Sequence, residues 1–80
     1  IRIGFALEDS IHLVARAKKK LKAKACHAMA ANPLSTINSK TVSGTWVTPE
    51  GEESFGNLTK SEYAGVVLDR SLQLWSAQLG

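Results

Sequence analysis

An α/β fold is what this chain of 80 residues predicts, and three features carry the expectation. The chain opens on a short, β-prone apolar run, IRIGFAL. A helical apolar period follows over residues 11–25, and a second apolar run, CHAMAA, is stopped by Asn32-Pro33. Two buried strands joined by a helix make a parallel crossover unit, and such a unit cannot cover its own faces. The sequence therefore predicts one piece, residues 1–80, of a larger Rossmann-like domain. Ligands in such sheets sit beyond the carboxyl ends of the strands. The first residue, Ile1, already lies inside a strand pattern, which fits a piece cut from a longer chain.

Each element has a local reason. Residues 1–7 are apolar and end in the acidic turn Glu8-Asp9-Ser10, where Asp9 or Ser10 suits a helix N-cap. Behind it Val14, Ala17, Leu21 and Ala25 recur at spacings of three and four, with Leu13 beside them and basic residues on the remaining arc. Acids before the helix and lysines at its end agree with the helix dipole. Cys26 to Ala31 read as a second strand, which Pro33 should end by biasing Asn32 and lacking a ladder donor. Residues 33–44 are polar and turn-rich and read as a loop. Thr45-Trp46-Val47-Thr48 alternates as a short strand, with Trp46 and Thr48 on one face and Val47 on the other. PEGEES reads as a turn and FGNL as a short return strand, together a small hairpin arm. Thr59-Lys60-Ser61-Glu62 has capping-box spacing. It opens a long C-terminal helix whose expected buried face is Ala64, Val67, Leu68, Leu72, Trp75 and Leu79, with Asp69, Arg70, Gln73 and Gln78 outward.

Composition narrows the function classes. A hydrophobic share of 44% with 21% charged residues is ordinary for a globular chain and argues against wholesale disorder. No apolar run approaches the 18 or so residues needed to span a bilayer, and the N-terminus lacks a signal-peptide layout. The single cysteine, Cys26, leaves no internal disulfide, which fits a reducing compartment and a cytoplasmic, soluble protein. The formal charge is +3 and most of the excess sits in residues 18–24, so the basic field is local.

That lysine run is the main candidate site. Lys18, Lys19, Lys20, Lys22 and Lys24 advance about 100° each along a helix and cannot all face one way. Lys18 and Lys22 flank one edge of the apolar stripe, and Lys20 and Lys24 flank the other, one turn apart. Adjacent ammonium groups repel unless an anion lies against them, so the pair fits a phosphate-bearing ligand. A solvated face and a nucleic-acid patch are the other readings of the run. Phe5, next to Gly4 near the end of the first strand, is either a core residue or a platform for a base. Cys26 and His27 stand adjacent with no other ligand at metal spacing, so a metal centre there is not expected. Glu8 and Asp9 read as caps or as helpers of a phosphate-bound Mg²⁺. Trp46 and Trp75 read as packing residues, Trp46 alternatively reaching a second subunit from the arm.

Four stretches in order resemble a known family. Gly4-Phe5-Ala6-Leu7-Glu8, Lys20-Leu21-Lys22-Ala23-Lys24, Ala31-Asn32, and Lys60 with Ala64 are similar to the C-terminal part of phosphopantothenate–cysteine ligases. In bacteria these are usually the second half of a fused decarboxylase/ligase flavoprotein of coenzyme A biosynthesis. The resemblance implies a ribokinase-like variant of the Rossmann-like fold. It implies CTP-dependent joining of 4′-phosphopantothenate to cysteine through an acyl-cytidylate, with Mg²⁺ assisting and FMN present only where a decarboxylase is fused. Phe5, Lys20 and Lys24 would be nucleotide contacts, in a cytoplasmic homodimer with no nucleic-acid or membrane partner. One residue more than the family's common spacing lies between Glu8 and Ala17, and His27 stands where the family often has Asp. The family's other nucleotide contacts and its lysine-bearing substrate loop lie upstream, so these residues hold part of a site and are not expected to catalyse alone. The rival readings are a small basic nucleic-acid-binding module and a dimerisation module built on the lysine helix.

Overall fold

A computed structural model describes residues 1–36 and 40–79. The elements run β1 (Ile3–Glu8), α1 (Leu13–Ala23), β2 (Ala28–Pro33), a 3-10 turn (Leu34–Thr36), β3 (Thr41–Thr48), β4 (Gly51–Thr59) and α2 (Lys60–Leu79). The strands form one sheet in the order β1-β2-β3-β4. β1 and β2 are parallel, as a strand–helix–strand unit requires, and β3 and β4 continue antiparallel.

Strand alternation divides the core between the two faces. Ala6, Met29, Ala31 and Val47 pack under α1 against Leu13, Ala17 and Leu21. Ala28, Ala30 and Trp46 form a second cluster on the opposite face, reached by Ile3, Phe55, Val67 and Leu74. The alanines of β2 let the layers approach closely, and all four residues from Ala28 to Ala31, Met29 included, are buried. Trp46 and Val47 thus take opposite faces as their alternation predicts, and Trp46, 5% exposed, is packed inside rather than projecting from an arm.

Several boundaries differ from expectation. α1 begins at Leu13, not residue 11, because Asp9 Oδ1 accepts the His12 backbone N–H at 3.0 Å and holds residues 9–12 in a turn. Neither Asp9 nor Ser10 is the N-cap; His12 takes that position without a side-chain bond, and Ile11 is left exposed. α1 ends in a Schellman motif: Cys26 N–H reaches Leu21 C=O at 2.9 Å and Ala25 N–H reaches Lys22 C=O at 3.2 Å. Ala25 has φ 51° there, the left-handed conformation that glycine usually supplies. Cys26 and His27 therefore precede β2 instead of opening it. His27 is tied to Arg2 twice, its N–H donating to Arg2 C=O at 2.8 Å and its Nδ1 accepting the Arg2 N–H at 2.9 Å.

β2 runs on through Asn32 and Pro33, which pair in register with Leu7 and Glu8. Pro33 lies beyond the last residue of β2 paired with β3, Ala31 against Thr45, where the antiparallel ladder no longer calls for its missing N–H. The region read as a loop over 33–44 contains the start of β3, and its residues 37–39 lie outside the described residues. β4 also begins within the expected PEGEES turn, so the hairpin is longer than the arm read from sequence. Between Val42 and Gly44 the ladder shifts by a bulge, Gly56 and Asn57 of β4 standing against Ser43.

The capping box forms as expected: Thr59 N–H donates to Glu62 Oε1 at 2.8 Å, and Glu62 N–H to Thr59 Oγ1 at 3.1 Å. The buried face of α2 is a correction. Tyr63, Val67, Arg70 and Leu74 turn toward the sheet, whereas Leu68, Leu72, Trp75 and Leu79 are all more than half exposed. Arg70, expected outward, is drawn in by Glu53 of β4, to which Nε and Nη2 donate at 2.6 and 2.8 Å.

Candidate functional site

The carboxyl end of β1 gathers the charge. Glu8 alternates with Ala6 onto the α1 face and is only 6% exposed. A carboxylate so placed needs partners, and α1 provides them one turn apart. Lys20 Nζ lies 2.5 Å from Glu8 Oε1, and Arg16 Nη1 lies 3.4 Å from Oε2. The hydrogen bond from Lys20 is the main reason that the Glu8 carboxyl titrates below the ordinary range; it and Arg16 outweigh the upward push of burial. Asp9, beside it, accepts from the His12 backbone and ring, which lowers its pKa as well. Both acids are therefore engaged. Among the described residues no three His, Cys, Asp or Glu side chains stand together as a metal site.

The lysines divide as the helical phase requires. Lys18 reaches the hairpin and pairs with Glu52 at 2.7 Å, so it is not simply solvated. Lys20 is committed to Glu8. Lys19, Lys22 and Lys24 have no ion-pair partner among the described residues. Lys24 caps α1 one turn beyond Lys20, near the amino end of the sheet, where its carbonyl accepts from the Arg2 guanidinium at 3.0 Å.

Phe5 stands apart from both lysines. It is the third residue of β1, mid-strand rather than at the carboxyl end, because the strand continues to Glu8. Alternation with Ala6 and Glu8 places it on the face opposite α1, and it is 67% exposed. The elements thus bring Glu8, Arg16 and Lys20 together, keep Lys24 one turn away on the same edge, and hold Phe5 across the sheet. Among the described residues β1 pairs only with β2.

Two features of this region were not anticipated. The Glu8–Arg16–Lys20 cluster had a signal, a strand-end acid followed by two cations at i, i+4. The hydrogen bond from Tyr63 Oη to Asn32 Oδ1, 2.5 Å long and 31 residues apart in sequence, had none. A groove of about 610 Å³ lies elsewhere, between the β3–β4 hairpin and α2, lined among others by Trp46, Glu53, Arg70 and Leu74. Its central cation, Arg70, is already satisfied by Glu53 and Asp69.

Residues 1–74 match the model of the DNA/pantothenate metabolism flavoprotein C-terminal domain. The chain belongs to this family. The DNA/pantothenate metabolism flavoprotein from Streptococcus pneumoniae is similar in structure, with a TM-score of 0.74 and 28% identity over 91% of the present chain. The match spans 32% of that flavoprotein chain, so the described domain corresponds to about a third of it. No curated protein matches at a significant level. Family membership agrees with the resemblance carried by Gly4-Phe5-Ala6-Leu7-Glu8 and the lysine helix. It assigns the chain to the C-terminal domain family of the pantothenate-metabolism flavoproteins, with an α/β sheet that matches part of the S. pneumoniae chain. No helix among the described residues is long and apolar enough to cross a membrane.

Proposed function

We propose that this domain supplies part of the nucleotide site of a CTP-dependent ligase joining 4′-phosphopantothenate to cysteine. The observation that carries the reading is the match of residues 1–74 to the pantothenate flavoprotein C-terminal family. In the proposed reaction the pantothenate carboxylate attacks the α-phosphorus of CTP and pyrophosphate leaves, giving an acyl-cytidylate. The cysteine amine then attacks the acyl carbon, and CMP departs as the amide forms. Such transfers depend on positioning and on neutralising charge as it develops.

This chain's contribution is binding. In this reading the base contacts Phe5 and the phosphates contact Lys20 and Lys24. Lys20 is held pointing to the carboxyl end of β1 by Glu8, so its ammonium is placed before ligand arrives. Lys24, with no ion-pair partner among the described residues, is the cation more available to a phosphate. Magnesium would come with the triphosphate, since Glu8 and Asp9 are both occupied by protein partners.

In the full-length enzyme, Lys24→Ala is expected to raise the KM for CTP by about tenfold or more, the scale of a lost charge-assisted hydrogen bond. The KM for cysteine should stay near the wild-type value. Steady-state kinetics with CTP varied decides it, and an unchanged KM for CTP removes Lys24 from the site.

A further inference from the structure

Asn32 stands at the carboxyl end of β2, beside Leu7 of β1 and one residue before Pro33. Its neighbour Ala31 belongs to the α1 cluster and Ala30 to the opposite one, so Asn32 shares a face with Ala30. In-register partners of a parallel pair point the same way. Phe5, paired with Ala30, and Leu7, paired with Asn32, therefore lie on this face too. Standard sheet spacings, about 4.8 Å between strands and about 6.7 Å for two residues along one, put the Phe5 and Asn32 Cα atoms about 8 Å apart. A base stacked on Phe5 could present its polar edge at that distance.

The Asn32 amide is held in one sense. Tyr63 donates its hydroxyl to Oδ1. The phenol is fixed by an edge-on contact with Phe55, ring centroids 6.1 Å apart, and by Gly44, where an added Cβ would come within 3.3 Å of the ring. That same Cβ position is 3.6 Å from Asn32 Oδ1, so the acceptor end of the amide faces β3. The amino end is turned from β3, and the strand on the other side is β1, carrying exposed Phe5 and Leu7. Nδ2 makes no hydrogen bond to another described residue. Half-burial of Tyr63 raises its pKa, which keeps the hydroxyl protonated as the donor this arrangement needs.

We propose that Asn32 is a specificity-determining residue of the nucleotide site. Its Nδ2 donates to N3 of the base stacked on Phe5, and Tyr63 is the positioning residue that orients the amide. This rests on the ligase reading above, in which Phe5 meets the base. Cytosine offers an unprotonated N3 beside its O2, whereas N3 of uracil carries a hydrogen. An amide fixed as donor therefore favours cytosine, because the wrong base leaves donor facing donor.

Kinetics of the full-length enzyme with CTP and with UTP test the assignment. Asn32→Asp preserves shape and the acceptor for Tyr63 but removes the donors. It is expected to raise the KM for CTP about tenfold, more than it changes kcat, and to narrow the preference for CTP over UTP. Tyr63→Phe keeps the ring packing, frees the amide to rotate, and should move both quantities in the same direction by about threefold. An unchanged KM for CTP in either variant of an active enzyme, or equal weakening of CTP and UTP, overturns the role of Asn32 and leaves the ligase reading standing. A wild-type enzyme that forms no product from CTP overturns both.

Discussion

Glu8 shows how one residue can serve both fold and site. Its carboxylate is nearly buried, yet it is ionised because Lys20 and Arg16 reach it from α1. The pair also sets where Lys20 points, which links a folding contact to the proposed phosphate contact. The sign of its pH dependence follows from the lowered pKa. A carboxyl titrating below its unfolded value contributes stability that is present above the unfolded pKa and lost as pH falls through the folded one. Near pH 7 the contribution is complete. A carboxyl-carbon NMR titration should place the Glu8 midpoint below the ordinary glutamate value of 4.5, and Lys20→Met should move it upward. A midpoint that ignores the substitution would assign the lowered value to some other cause. Lys24 has no counterpart of Glu8 among the described residues, so Lys24→Ala should perturb nucleotide binding with less effect on the fold.

At the scale of elements, the end of α1 carries a strain that invites a test. Ala25 holds φ 51° to complete the Schellman motif. A left-handed residue other than glycine costs about 1–2 kcal/mol, while glycine adds back about 0.4–1 kcal/mol of unfolded-state entropy. Ala25→Gly should therefore stabilise the chain by about 0.5–1 kcal/mol, read as a higher urea midpoint with an unchanged slope. The reverse sign would mean that the motif is not formed in solution. Helix ends also mark what could be read from sequence. The Thr59–Glu62 box is local, two side chains and two backbone groups within one turn, and it was legible. The start of α1 was not, because Asp9 had a choice of N–H groups and took that of His12 before the helix began. β3 and β4 were underestimated for a related reason. Gly51, Glu52 and Glu53 read as turn residues, but pairing with Thr48, Val47 and Trp46 recruits them into the ladder.

Over the whole molecule the two faces of the sheet are unequally covered. α1 seals one face with Leu13, Ala17 and Leu21. α2 covers only part of the other, leaving Phe5 and Leu7 open, and it carries two apolar stripes. The stripe of Tyr63, Val67 and Leu74 meets the sheet, and the stripe of Leu68, Leu72, Trp75 and Leu79 lies roughly 140° around the helix. Periodicity alone made the second stripe look like the core because it holds the larger residues. The choice was made by β4, whose Glu53 and Phe55 hold Arg70 and Tyr63 inward. No local pattern near α2 encodes that, just as none encodes the Tyr63–Asn32 bond. The same contrast gives a stability prediction. Leu21, 3% exposed, sits in a closed cluster, so Leu21→Ala should cost about 2–5 kcal/mol. Leu72 is 51% exposed, and in this chain Leu72→Ala should cost less than about 1 kcal/mol. Chemical denaturation of the two variants side by side measures the difference. Comparable losses would mean that the second stripe is covered in solution, and that α2 is held by a contact on its outer face as well as by the sheet.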